Sequence, residues 1–207
     1  MGQILDIRSA ALPLGRLAEI PGPMDVERFL AFNDTRMDGE KWELIDGEPI
    51  LNATPVNHHQ LIVANLIVHL RAALKAAGNV QRALPGIGVR LSNVTLVEPD
   101  VMVRSRDTFR GNVCDDIAVA FEVLSPSTRR RDLGTKRLAY AGLPSLTHYV
   151  AVLPEMMEVR VFARAALWRE VRLVRPGDAI AFPDLRISLA LADIYDDMAD
   201  FLDGTEA

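Results

Sequence analysis

The chain has 207 residues, enough for one domain with its own apolar core, and its apolar fraction of 49% with 25% charged residues is typical of globular proteins. Its formal net charge of −5 argues against binding to nucleic acid through an overall basic surface, although net charge does not describe a single groove. No run approaches the ~20 apolar residues of a membrane helix, so we expect no membrane contact. The one cysteine, Cys114, cannot form an internal disulfide, which is typical of a reducing compartment, so we expect a cytoplasmic protein.

The N-terminal quarter predicts an extension, a short helix and a hairpin. Residues 1–23 are predicted to be an N-terminal extension of a single domain at 24–207, and Asp25 is predicted to cap a short helix that runs through Phe32. Asp46-Gly47 separates two strand-like runs, which is a strong β-hairpin signal.

The central part predicts a long helix followed by strands. Apolar residues recur at helical spacing from His58 to Ala77, and Gly78 follows as a natural helix end. Short apolar runs predict strands at 87–91, 96–103 and 117–124. The last run is apolar apart from one glutamate, which predicts a strand buried on both faces in the middle of a sheet.

The C-terminal part predicts a helix, three strands and a final helix. Ser127 or Thr128 can cap a helix that extends to about Ala141. Strands are predicted at 147–153, 157–162 and 167–174, in antiparallel hairpins, and a short helix is predicted from Ser188 to Leu202. The fold class expected from the whole pattern is α/β, with a mixed sheet flanked by helices.

The glutamate inside the buried strand is the first candidate for a functional residue. A carboxylate at Glu122 is costly in such a strand unless it is paired, protonated or bound to a metal. The preceding predicted strand offers Asp100, directly after Pro99. If these strands are neighbours, Asp100 and Glu122 form a pocket rich in carboxylate oxygens, which suits Mg²⁺ or Mn²⁺ rather than zinc.

A basic residue beside such a metal would suit phosphodiester hydrolysis, because it would stabilise the charge that develops on the phosphoryl oxygens. Lys136 lies in the predicted helix that follows the Glu122 strand. A strand, a turn and about two helical turns would return this lysine to the end of the strand.

Several motifs together resemble the Uma2 family, whose members are classed as endonucleases of the restriction-endonuclease-like, or PD-(D/E)xK, superfamily. The resemblance covers roughly residues 24–195. The matching motifs are Trp42-Glu43-Leu44-Ile45-Asp46-Gly47-Glu48, His59-Gln60, Pro99-Asp100, Phe121-Glu122-Val123-Leu124-Ser125-Pro126-Ser127-Thr128 and Arg131-Asp132-Leu133-Gly134-Thr135-Lys136.

The resemblance implies a restriction-endonuclease-like core and a role for each matching residue. Asp100 and Glu122 match the acids that bind the metal, and Lys136 matches the lysine on the following helix. Glu43 matches an acidic residue from the N-terminal part, and His59 matches a histidine with a supporting role. The superfamily usually places its lysine two positions after the glutamate, where this chain has Leu124. Activity therefore requires that Lys136 occupy the same space.

Other polar residues near these motifs have competing interpretations. Alternation along the hairpin places Glu43 and Glu48 on opposite faces, so we expect Glu43 to face the pocket and Glu48 to face solvent. The run Arg129, Arg130 and Arg131 could contact phosphates or form a solvated face. Ser125 lacks the Gly-x-Ser-x-Gly context of a nucleophile.

The function predicted from the sequence is a Mg²⁺- or Mn²⁺-dependent endonuclease that hydrolyses DNA phosphodiester bonds. The alternative is a catalytically silent module of the same fold that binds nucleic acid or a protein partner. Cleavage of both strands of a duplex would favour a homodimer with two sites.

Overall fold

The structure is a computed structural model that describes residues 22–35, 40–105 and 111–202. Most of the predicted extension at 1–23 therefore lies outside the described residues. No helix among the described residues is long and apolar enough to cross a membrane. The helices are α1 (Val26–Asp34), α2 (Asn57–Ala76), α3 (Arg129–Arg131), α4 (Arg137–Ala141), α5 (Leu191–Ile194) and α6 (Ala199–Leu202), with a π-helical turn at Asp132–Lys136 between α3 and α4.

The strands of the described residues form three sheets, two of them mixed. The strands are β1 (Trp42–Ile45), β2 (Glu48–Leu51), β3 (Gln81–Pro85), β4 (Gly88–Ser92), β5 (Thr95–Val97), β6 (Val101–Ser105), β7 (Val113–Cys114), β8 (Ile117–Val123), β9 (His148–Leu153), β10 (Glu158–Ala163), β11 (Glu170–Leu173), β12 (Ala179–Phe182) and β13 (Ile187–Ala190). A five-stranded sheet has the order β2-β1-β5-β4-β7, a six-stranded sheet has the order β11-β10-β9-β8-β6-β3, and β12 pairs with β13. The pairs β8–β9 and β4–β7 are parallel, and the others are antiparallel. This architecture confirms the predicted α/β class.

Strand β8 is central in the six-stranded sheet and buried on both faces, as its apolar sequence predicts. One face, with Val119 and Phe121, packs in the cluster that includes the leucines of α2. The opposite face, with Ala120 and Leu124, packs against a cluster that includes Tyr140 and Tyr149. Because side chains alternate along a strand, Glu122 belongs to this second face, on the side of α4.

The predicted helices and hairpin of the N-terminal half are confirmed. The Asp25 side chain accepts a hydrogen bond from the Arg28 N–H and so caps α1. Asp46 and Gly47 have φ values of 51° and 84°, the left-handed pair that a two-residue type I′ hairpin requires.

The strand predicted at 96–103 is two strands in different sheets. Thr95–Val97 belongs to the five-stranded sheet and Val101–Ser105 to the six-stranded sheet. Pro99 lacks an N–H and cannot continue a ladder, so the chain crosses between the sheets at residues 98–100. This crossing places Asp100 directly before β6.

The helix predicted from Ser188 to Leu202 is also wrong over its first part. Residues Ile187–Ala190 form β13, which pairs with the unpredicted β12, and only the short helices α5 and α6 follow. Ile180 and Phe182 of β12 and Leu189 of β13 are buried, and their neighbours along each strand are more exposed, which is the alternation of paired strands. A short run of residues can fit helical spacing and strand alternation equally well, so the sequence did not distinguish the two. The strands β3 and β7 were likewise not predicted.

Candidate active site

Asp100 is held at the junction of the two large sheets by neighbours that favour its ionised form. Its Oδ2 accepts a hydrogen bond of 2.8 Å from the Val123 N–H, and His59 Nε2 lies 3.3 Å from the same oxygen. Lys41 Nζ lies 3.9 Å from Oδ1. Burial alone would raise the pKa of Asp100, but His59, Lys41 and the Val123 N–H hold that pKa below its ordinary value.

A close approach of two backbone segments fixes the position of Asp100. The Gly86 N–H donates to the Asp100 carbonyl oxygen at 3.2 Å. A Cβ added at Gly86 would lie 2.1 Å from the Pro99 carbonyl oxygen and 2.9 Å from Glu98 Cγ. Only glycine therefore allows the chain directly after β3 to run so close to the crossing that carries Asp100.

We expect Gly86→Ala to lower the free energy of unfolding by roughly 1–3 kcal/mol, because the backbone of the crossing must move away. Chemical unfolding in urea measures this loss. Gly177→Ala is the matched control, because nothing lies within 4 Å of its added Cβ. Equal stability of the two variants would contradict the close approach.

Lys136 reaches the buried carboxylate of β8. Its Nζ lies 2.7 Å from Glu122 Oε1, although Lys136 follows Glu122 by fourteen residues. The lysine ends the π-helical turn, a type of irregularity that is frequent at functional sites. Leu124, where the usual superfamily pattern has its lysine, is fully buried in the apolar core. The structure therefore brings Lys136 to Glu122 from the following helix.

Glu43 holds Lys136 from the other side. Its Oε1 lies 2.9 Å from Lys136 Nζ and accepts a hydrogen bond of 2.8 Å from the Glu98 N–H. Burial alone would raise the pKa of Glu43, but the Lys136 ammonium and the Glu98 N–H lower it below its ordinary value. Glu48 is exposed, so the predicted division between the two glutamates of the hairpin is confirmed.

Two further residues belong to this cluster, and the sequence interpretation did not include them. Asp132 Oδ1 lies 3.6 Å from Lys136 Nζ, and the Tyr140 hydroxyl donates to Glu122 Oε1 at 3.2 Å. Asp132, Lys136 and Tyr140 follow one another at intervals of four, which is the spacing of one helix face. That periodicity was a signal by which Asp132 and Tyr140 could have been found.

The cluster contains more negative than positive buried groups. Burial and the carboxylates of Asp132, Asp100 and Glu43 raise the pKa of Glu122 well above its ordinary value despite the nearby lysine. Burial also raises the pKa of Asp132. Burial alone would lower the pKa of Lys136, but Glu122, Glu43 and Asp132 together raise it, so its ammonium stays charged. A positive group added near Glu122 would relieve this imbalance.

These side chains line a pocket of about 440 Å³. The residues that carry charge in its lining are Lys41, Glu43, Glu98, Asp100, Glu122, Arg131, Asp132, Lys136 and Glu155, with His58 and His59. Ser125 also lies there, where its hydroxyl hydrogen-bonds with those of Ser127 and Thr128. These bonds give Ser125 a structural part in the turn that follows β8.

The three consecutive arginines have different positions. Arg131 lines the pocket, donates to Asn52 Oδ1 at 2.6 Å and lies 3.9 Å from Glu43 Oε2. Arg129 pairs with Glu155 at 2.9 Å, and Arg130 is exposed. The proposed phosphate contact is therefore best placed at Arg131, the one of the three that lines the pocket.

The carboxylates of Asp100 and Glu122 suit a divalent cation, such as Mg²⁺, that takes only one or two of its ligands from the protein. Among the described residues, no group of three or more His, Cys, Asp or Glu side chains is arranged to hold a metal ion. Mg²⁺, however, is usually held by one or two carboxylates, with water and substrate oxygens as its other ligands. Asp100 and Glu122 supply two carboxylates in one pocket, and the surplus of acidic groups around Glu122 favours a cation there.

Residues 26–192 match the model of the Uma2 family, described as "Putative restriction endonuclease". No curated protein matches the chain. The chain is also similar to a crystal structure described as that of a putative nuclease belonging to DUF820 from Anabaena variabilis ATCC 29413, with 16% sequence identity and a TM-score of 0.69. That similarity covers 84% of this chain and 98% of the other. At this identity it shows a shared fold.

Proposed function

This chain belongs to the Uma2 family, and from that premise we propose that it is a metal-dependent endonuclease that hydrolyses DNA phosphodiester bonds. The observation that carries the proposal is the 2.7 Å contact between Lys136 Nζ and Glu122 Oε1. It supports the view that Lys136 takes the part that the superfamily usually gives to a lysine on the strand itself.

In this proposal Asp100 and Glu122 hold Mg²⁺ or Mn²⁺. When bound there, the metal would lower the pKa of a water molecule and neutralise phosphate charge. The Lys136 ammonium, which stays protonated, stabilises negative charge on the phosphoryl oxygens, and Tyr140 orients the Glu122 carboxylate through its hydroxyl. Glu43 positions Lys136, and His59 positions Asp100.

Lys41 and Arg131 are the groups that would receive the substrate phosphates. Both line the pocket and retain partial exposure of the side chain. Arginine suits a bidentate phosphate contact, and lysine suits a point contact. Their positions support a strand backbone that passes through the pocket between them.

A second candidate function is a silent module of the same fold that binds nucleic acid without cutting it. The observation in its favour is that Lys136 Nζ already contacts Glu43 and Glu122, with Asp132 nearby, so its charge is largely compensated before substrate binds.

The homodimer and the cytoplasmic location remain predictions. Size-exclusion chromatography measures the first, and cell fractionation measures the second.

Cleavage of a labelled oligonucleotide in Mn²⁺ and in EDTA tests the proposed function. We expect the wild type to cut only with metal, and Asp100→Asn to lower the rate at least about 100-fold, because a metal ligand is lost. Glu48→Gln, which neutralises an exposed carboxylate of the same domain, is the control and should cut like the wild type. Cleavage by Asp100→Asn at the wild-type rate would contradict the assignment of Asp100. A wild type that binds the oligonucleotide without cutting it would favour the silent module.

A further inference from the structure

We propose that the pocket takes one unpaired nucleotide, so that the substrate is single-stranded DNA or a duplex from which a nucleotide has been extruded. An intact duplex backbone would be excluded from the reacting groups. This inference rests on the proposed nuclease function and specifies the substrate class of the same site.

The first argument is that the reacting groups lie beneath the surface. Glu43, Glu122 and Lys136 have 1%, 4% and 2% of their surface exposed. The phosphates of a duplex lie on the outside of a wide cylinder whose neighbouring bases remain stacked. A phosphate that stays in that cylinder reaches only groups at a protein surface or in a groove open at both ends. Access to these three groups requires that the strand leave the helix.

The second argument is that side-chain contacts hold together three of the segments that line the pocket. We call three of its lining segments, at 52–56, 124–128 and 154–155, its walls. Two side-chain contacts on the helical segment after β8 link these walls. Arg131 donates to Asn52 at 2.6 Å, which joins that segment to the first wall, and Arg129 pairs with Glu155 at 2.9 Å, which joins it to the third. The two contacts therefore join the three walls through this helical segment, and we call the joined walls the ring.

Each wall also contains a proline, at Pro55, Pro126 and Pro154, and proline restricts the backbone of its segment. Segments whose backbone is restricted by proline and which are joined by side-chain contacts move apart less readily than glycine-rich loops. We infer that a duplex cannot separate the walls without breaking the two arginine contacts.

The third argument is the chemistry of the ring. Val56, an apolar side chain with 55% of its surface exposed, belongs to it beside Pro55, and His58 also lines the pocket. Apolar and aromatic faces bind unstacked bases, whereas a base within a duplex offers only its edge. The volume of about 440 Å³ lies in the lower part of the range of small-ligand pockets, which suits a single nucleotide. Lys41 and Arg131 provide positive charge for its phosphates.

Binding and cleavage of three oligonucleotides of one sequence test the proposal: a single strand, a blunt duplex and a duplex with one unpaired nucleotide. Binding is measured by fluorescence anisotropy with Asp100→Asn in EDTA, and cleavage with the wild type in Mn²⁺. We expect the single strand to bind at least about tenfold more tightly than the blunt duplex. We also expect cleavage of the third substrate to occur at its unpaired nucleotide.

The outcomes separate this inference from the proposed function. Equal or preferred binding and cleavage of the blunt duplex would overturn the inference while leaving a nuclease. Preferred binding of the single strand without cleavage of any substrate would support the inference and contradict the proposed function. Absence of binding to all three oligonucleotides would overturn the inference.

A pair of valine variants tests the ring itself. Val56 is at the N-cap of α2 and makes no side-chain cap, so Val56→Asp adds a charge at the ring and is compatible with the helix start. Val68→Glu adds the same charge at an exposed valine, with 62% of its surface exposed, further along α2. We expect about fivefold or greater loss of single-strand affinity for Val56→Asp and little change for Val68→Glu. Equal affinities of the two variants for the single strand would contradict a contact between Val56 and the bound nucleotide.

Discussion

Replacing Lys136 with methionine is expected to lower the cleavage rate by about 100-fold or more and the free energy of unfolding by about 3–5 kcal/mol. The side chain is 2% exposed and lies within 4 Å of Glu122, Glu43 and Asp132. Methionine fills a similar volume but leaves three buried carboxylates without their shared cation. The loss of a preorganised positive group at the reacting phosphate would cost about 100- to 1,000-fold in rate.

Two further variants distinguish a catalytic loss from unfolding. Lys75→Met replaces an exposed lysine on α2 and should change stability by less than about 0.5 kcal/mol. The double variant Lys136→Met/Glu43→Gln removes one of the orphaned carboxylates, so it should recover part of the stability without recovering cleavage. Urea unfolding and cleavage rates are measured on the same samples. A folded Lys136→Met protein that cuts at more than about a tenth of the wild-type rate would contradict the role of the lysine.

Replacing Glu122 with glutamine is expected to abolish metal-dependent cleavage while leaving the metal-free protein as stable as the wild type, or more stable. The reason is that burial and three neighbouring carboxylates raise the pKa of Glu122, so its negative charge costs the folded protein free energy that glutamine does not. Glutamine has a similar shape and stays neutral, and it can still accept the Tyr140 hydroxyl hydrogen bond.

The dependence on pH has a definite sign. A group whose pKa is raised on folding stabilises the fold at low pH, and this contribution is lost as the pH rises through the folded-state pKa. The wild type should therefore lose stability relative to Glu122→Gln as the pH rises above 4.5, the ordinary glutamate value, as measured by urea unfolding in EDTA. A Glu122→Gln protein that is destabilised more at the higher pH would contradict this interpretation.

Glu43→Gln provides the contrasting case within the same cluster. The pKa of Glu43 is lowered, so its charged form stabilises the fold above the ordinary value of 4.5, and the contribution is lost as the pH falls through the folded-state pKa. At neutral pH we expect Glu43→Gln to cost about 1.5–3 kcal/mol, because a hydrogen bond to a charged group is weakened. Below about pH 4 the deficit should shrink. Opposite pH trends in the two glutamine variants are the result that this cluster predicts.

The sequence was sufficient for the elements that local chemistry determines. The Asp25 cap, the Asp46-Gly47 turn and the long amphipathic helix α2 were predictable because each depends on neighbours in the chain. The pairing of β12 with β13 was not predictable in this way. It depends on burial of alternate residues against other parts of the fold, which a window of a few residues does not show.

The candidate site was predictable in part for a similar reason. Glu122 was recognisable because one carboxylate in an apolar strand is unusual, and Asp132 and Tyr140 were recognisable in principle from their helical spacing with Lys136. Lys41 and Asn52 gave no local signal. They reach the pocket only because the hairpin packs beside the crossing at residues 98–100, which is a consequence of tertiary structure.

The crossing itself explains why Asp100 and Glu122 line one pocket although the strand predicted at 96–103 is two strands. Pro99 lies in the crossing that follows one strand, and Asp100 directly precedes the next strand, which is in a different sheet. The antiparallel pairing of β6 with β8 then brings Asp100 to the Val123 N–H. The neighbouring strands that the sequence suggested for Asp100 and Glu122 are therefore present, although the first is shorter than predicted.

Calorimetric titration of Mn²⁺ tests the central claim, a metal site formed by Asp100 and Glu122, most directly. It compares the wild type with Asp100→Asn and with the Glu48→Gln control. The proposed site predicts saturable binding in the wild type and in Glu48→Gln, and affinity lowered at least about tenfold in Asp100→Asn. Absence of binding in the wild type, or equal binding in Asp100→Asn, would contradict a metal site formed by these two carboxylates.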